Sequence, residues 1–136
     1  MARLVSRILL ALLFLAAGTL HLLHPEVFMQ IMPPWIPGPM ACVIISGIAE
    51  LAGGIGLLVP AREVRRAAGW GLLALLVAVF PANVYMATAH IRVNGFPSHD
   101  WMSWARLPLQ LLIMLWVSRV TSIWPAEGEG KQTVAA

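Results

Sequence analysis

The chain has 136 residues, 60% of them hydrophobic and 11% charged, with a formal net charge of +3. So little polar surface excludes an ordinary water-soluble domain of this length, and arginines scattered along the chain exclude the gathered basic face of a nucleic-acid binder. A single cysteine, Cys42, leaves no CxxC and no internal disulfide, which excludes a self-contained dithiol exchanger; at the head of an apolar segment it reads as a small hydrophobe.

Four apolar segments, residues 4–23, 40–59, 67–89 and 106–124, are each long enough to cross about 30 Å of hydrocarbon at about 1.5 Å per residue. They predict an all-α, integral membrane four-helix bundle that forms one domain over residues 1–124. The first segment, introduced by Arg3 and Arg7, carries Ala16, Ala17 and Gly18 and also fits a cleavable signal peptide, which would leave three spans. After it, residues 24–39 contain five prolines, so no continuous helix can form there. Pro25 suits the first turn of a short interfacial helix with Val27, Phe28, Ile31 and Met32 on its apolar side. An extended proline segment then crosses the outer mouth of the bundle.

The second segment is rich in small residues, Ser46, Gly47, Gly53, Gly54 and Gly56, which let membrane helices approach closely. Glu50 stands at helical spacing from Gly47 and Gly54 and so faces a helix contact rather than lipid. A central acid costs about 2.5–3.5 kcal/mol on insertion, against about 0.3–0.6 kcal/mol gained from each Ile, Leu or Val. The span inserts, yet Glu50 wants a partner or a proton. Arg62, Arg65 and Arg66 fill the next connection. In the third segment Pro81 frees the carbonyl of Val77 and opens a kink beside Asn83; Asn83 and His90 share one face. Trp101 and Trp104 suit the headgroup level before the fourth segment, where Arg106 and Gln110 share a face. Residues 125–136 read as a short flexible tail. Arg3, Arg7, Arg62, Arg65, Arg66, Arg119 and Lys131 lie on one side and only Arg92 and Arg106 on the other, which puts both termini in the cytoplasm.

Counting at about 1.5 Å per residue from Met40 places Glu50 about 15 Å below the outer boundary, Asn83 and Gln110 about 6–9 Å below it, and His21, His90 and Arg106 at it. The polar residues thus descend from the outer side to a deep carboxylate. This predicts an outward-facing intramembrane pocket in which His21, Asn83, His90, Arg106 and Gln110 bind a ligand and Glu50 is the catalytic group, exchanging a proton at the floor. A relay through Gln110, Asn83 or water fits the depths better than a direct Glu50–Arg106 pair. Two other readings stand beside it. The polar residues can serve helix packing alone in a non-catalytic scaffold, each bond being worth about 0.6 kcal/mol, or His21 and His90, matched in depth, can hold a haem. His21 and His24 are three apart, but Pro25 disfavours helical geometry at His24, so no metal site is expected. No P-loop, GxSxG or HExxH is present.

Taken in this order and spacing, Gly18-Thr-Leu-His21 followed by Pro25, Met32-Pro-Pro-Trp-Ile-Pro37, Ser46-Gly-Ile-Ala-Glu50, Gly53-Gly54, Pro60, Phe80-Pro-Ala-Asn83 with Met86, and Arg106-Leu-Pro-Leu-Gln110 make the chain similar to the bacterial DoxX family over residues 14–118. The resemblance implies a multi-pass protein of the bacterial inner membrane with cytoplasmic ends. It also implies association with quinone-linked sulfur oxidation or with thiol and oxidative-stress systems, but it transfers no catalytic residue. The lone Cys42 departs from relatives that bring paired thiols. The function expected is binding of a lipophilic, redox-linked small molecule, quinone-like, by the chain alone or as a subunit of a membrane redox complex, with the lipid bilayer and redox proteins as partners.

Overall fold

The computed structural model describes residues 1–94 and 99–123. Five helices follow one another, α1 (Ala2–Leu23), α2 (Pro25–Met29), α3 (Pro39–Leu58), α4 (Arg62–Thr88) and α5 (Asp100–Val120), and no strand occurs among the described residues. The tail expected over 125–136, with Lys131, lies outside the described residues, as does Trp124.

Three of the helices, α1, α3 and α4, are long and apolar enough to cross a membrane. Asp100, Arg106, Gln110 and Arg119 lower the apolarity of α5, which is not among them. Leu12, Ile48, Val77 and Leu112 are each more than half exposed on the outer faces, an arrangement that lipid accepts and water does not. The chain is in this sense a membrane protein with a bilayer for its surroundings.

Helix α1 packs along α3, α3 on α4 and α4 on α5, and α5 touches α1. Helices α1 and α3 approach closely at Gly18 and Gly47. A Cβ on Gly18 would stand 2.7 Å from the Gly47 carbonyl oxygen, and one on Gly47 would stand 2.8 Å from His21 Cβ. Further along, Gly54 faces Ala11 and Leu15. From this crossing α3 runs back to Pro39, about 12 Å, whereas α1 ends at Leu23 after about 7 Å. The shortfall is filled by α2 and the turns that follow it, which pack on α3. Gln30 Oε1 accepts a hydrogen bond from the Asn94 amide at 2.9 Å, tying this segment to the chain beyond α4. Gly38 opens α3 at a φ of 59°, the left-handed region glycine tolerates.

Away from α2, the helices close on a continuous apolar cluster of Leu10, Ala11, Phe14, Leu57, Leu72, Leu76 and Val117. Trp116 Nε1 donates to Ser6 Oγ at 2.7 Å across α5 and α1. One end of the molecule is therefore tightly packed; the other is where the cavity lies.

Helix boundaries depart from the apolar segments in two ways. At their starts α4 and α5 take in polar turns, from Arg62 rather than 67 and from Asp100 rather than 106, with Glu63 and Asp100 in the first turns, where a negative charge suits the helix dipole. At their ends both stop at a left-handed residue that is not glycine. His90 has φ 51° and Ser122 has φ 55°, and the following amides reach back, Ile91 to Met86 O at 3.2 Å and Ile123 to Ser118 O at 3.1 Å. This is the Schellman stop. It ends α5 at Val120 rather than at 124. Because a left-handed non-glycine residue carries a backbone cost of about 1–2 kcal/mol, Ser122→Gly is expected to stabilise the protein by about 1 kcal/mol, read as a higher unfolding midpoint in detergent.

Candidate functional site

Between the α2 segment, α3, α4 and α5 lies a cavity of about 590 Å³. Its walls are mainly apolar, Ile31, Met32 and Ile36 from the α2 segment, Val43 and Ile45 from α3, Leu75 and Val79 from α4, Leu109 and Ile113 from α5. Into it the structure brings His21, Glu50, Asn83, Arg106 and Gln110.

His90 does not join them. Its left-handed backbone turns it away from the helical face it was expected to share with Asn83, and it lies exposed with Nδ1 3.8 Å from Asp100 Oδ2. The His21–His90 pair envisaged for haem is therefore not assembled. His24 is likewise apart, its Nδ1 3.3 Å from Glu26 Oε1 at the surface. Among the described residues no group of three His, Cys, Asp or Glu is placed to hold a metal ion.

A further polar contact joins α1 and α3. His21 Nδ1 lies 2.8 Å from the Ala17 carbonyl oxygen and 3.0 Å from Glu50 Oε2. A carbonyl oxygen only accepts, so Nδ1 carries the proton and donates it to Ala17. The contact with Oε2 is close but poorly directed, and Glu50 Oε2 is buried without a hydrogen bond. Counting each span from a common boundary set His21 about 15 Å above Glu50. The Gly18–Gly47 crossing changes this, because each residue is three positions from it and about 9 Å of axis separates them, within reach of two side chains.

Phe28 of α2 stacks on the His21 ring, with centroids 3.7 Å apart and planes at 18°. The stack fixes the imidazole from the cavity side. This role for Phe28 was not legible in the sequence, where it stood only as one apolar residue of a short helix.

Asn83 and Gln110 are bonded to each other, Asn83 Nδ2 donating to Gln110 Oε1 at 2.6 Å. Gln110 Nε2 donates in turn to the Leu76 carbonyl oxygen. The kink at Pro81 was expected to offer the carbonyl of Val77; the one engaged by Gln110 is its neighbour, because Val77 faces outward and is 59% exposed while Leu76 turns toward α5. Arg106 is exposed at the rim, and its guanidinium donates to Met86 Sδ at 3.4 Å. It makes no ion pair with Glu50. Cys42 lines the cavity with its thiol 3.7 Å from Pro37 O.

A family model described as a domain of unknown function (DUF8561) matches residues 10–121. No curated protein and no solved structure matches the chain.

Proposed function

Since the chain belongs to the DUF8561 family, whose description states no activity, we propose from the cavity itself that the protein binds a lipophilic small molecule within the membrane. The observation that carries this reading is a cavity of about 590 Å³ with apolar walls and a buried carboxylate, Glu50, in its lining. Small-molecule pockets span about 300–1,000 Å³ and combine apolar walls with a few convergent polar groups. In this reading α5 is a fourth span, and the arginines at 3, 7, 62, 65, 66 and 119 mark the cytoplasmic end. The cavity then opens outward from a bacterial inner membrane. The DoxX-like motifs contribute His21, Glu50, Asn83, Met86, Arg106 and Gln110, and they favour a redox-linked, quinone-like occupant taken alone or within a redox complex.

Purification in mild detergent followed by organic extraction and mass spectrometry tests the proposal. A lipophile recovered in near-stoichiometric amount from the wild type, and depleted in Glu50→Gln, is the expected result. Equal recovery from both, or none from either, refutes it.

A second reading, helix locking without a ligand, draws support from the Asn83–Gln110–Leu76 chain of bonds, which ties α4 to α5. We expect Asn83→Leu and Gln110→Leu to be non-additive in stability, with a coupling of about 0.6–1.7 kcal/mol, measured by a double-mutant cycle of unfolding in detergent. Those two residues then hold the cavity walls, and the ligand-facing role falls to Glu50, His21 and Arg106.

A further inference from the structure

We propose that the occupant of the cavity brings a hydrogen-bond donor of its own, a hydroxyl of the phenol class on an apolar tail, and that this hydroxyl docks on Glu50. The inference rests on the pocket reading above and narrows it. It follows from the unsatisfied carboxylate in the cavity wall. The Asn83 and Gln110 amides are engaged with each other and with Leu76 O. The His21 Nδ1–H is directed to Ala17 O at 2.8 Å, and the Cys42 thiol lies against Pro37 O. Arg106 is a donor and sits at the rim.

Among the polar groups that line the cavity, Glu50 is the one with a fully buried side-chain oxygen that has no hydrogen bond. Neither of its oxygens has a hydrogen bond among the described residues, and only Oε2 is completely shut off from the cavity. Oε2 lies 3.0 Å from His21 Nδ1 yet takes no hydrogen bond from it, the Nδ1–H being directed to Ala17 O. Oε1 is not fully buried as Oε2 is, and Glu50 lines the cavity. A buried carboxylate oxygen without a donor is costly, and hydrogen bonds to charged groups are the stronger ones. A ligand that offers only acceptors, such as a ketone or an ether, leaves that need unmet; a phenolic O–H meets it. Ser46, one helical turn before Glu50 on the same wall, is both donor and acceptor and suits the lone pair of the same ligand oxygen. Leu75, Val79, Leu109 and Ile113 supply the surface for the tail.

The test uses two redox-inert probes that differ in this one donor, 4-octylphenol and its methyl ether 4-octylanisole. Each is titrated against the purified full-length protein at fixed detergent concentration, and the unfolding midpoint is followed. The phenol is expected to raise the midpoint at a concentration about tenfold or more below that needed for the ether, and Glu50→Gln, whose amide serves either probe, is expected to erase the difference. Should Glu50→Gln not fold, Glu50→Asp, which withdraws the carboxylate by one methylene, must shrink the preference. Equal potency of the two probes on the wild type, or a preference for the ether, overturns the inference and leaves the pocket standing. A preference that survives both Glu50 variants also overturns it. If neither probe shifts the midpoint, the pocket reading falls and this inference with it.

Discussion

Gly18→Val is expected to lower the stability of the protein by about 3 kcal/mol, the upper end of the cost of overpacking a tight contact, and to drop its unfolding midpoint in detergent accordingly. The first side-chain carbon would stand 2.7 Å from the backbone oxygen of Gly47 and 3.0 Å from the backbone nitrogen of Leu51. Backbone atoms cannot rotate aside as a side-chain terminus can, so α1 must lift off α3. Membrane helices have little hydrophobic force to press them back together. Gly71 is the control, since a Cβ there meets nothing within 4 Å; Gly71→Ala should be neutral or stabilising by up to about 1 kcal/mol from helix propensity. Similar midpoints for the two variants would mean that the helices do not cross at Gly18.

His21→Leu is expected to destabilise the protein by about 1–3 kcal/mol, the cost of leaving a buried polar group without the donor beside it. The substitution removes the N–H nearest to Glu50 Oε2, at 3.0 Å, and leaves a buried acid beside leucine. Replacing both partners, His21→Leu with Glu50→Leu, should recover most of the loss, because the need for a partner disappears with the acid. Equilibrium unfolding of the two single variants and the double variant decides this. A double variant no more stable than His21→Leu would assign the role of His21 to its stacking under Phe28 instead.

Much of the helical framework was legible because apolar runs are a direct record of what lipid requires. Glu50, Asn83 and Gln110 stood out for the complementary reason, being polar groups at helical spacing inside such runs. What could not be read was relative position. The level of His21 depended on where α1 crosses α3, and that is decided by two glycines, Gly18 and Gly47, that look like any others in a small-residue helix. Depth counted along each helix separately missed it. His90 and Ser122 were illegible as helix stops because the left-handed position usually falls to glycine; with no glycine to mark it, His90 looked like a continuation of the Asn83 face. The partner of Gln110 depended on which carbonyl near Pro81 turned inward, a matter of rotation about the helix axis that the proline alone does not fix. The DUF8561 match covers residues 10–121 and carries no chemistry to set against these readings.

Gln110 has a mechanical consequence as well. Its amide oxygen is bound to Asn83, two residues after Pro81, and its amide nitrogen to the carbonyl of Leu76, five residues before it. One side chain of α5 thus spans the proline turn of α4, which stays helical from Arg62 to Thr88. Proline removes one backbone hydrogen bond from this turn, and a strut from the opposite wall of the cavity crosses it. The two cavity walls, α4 and α5, are thereby pinned to each other on both sides of Pro81.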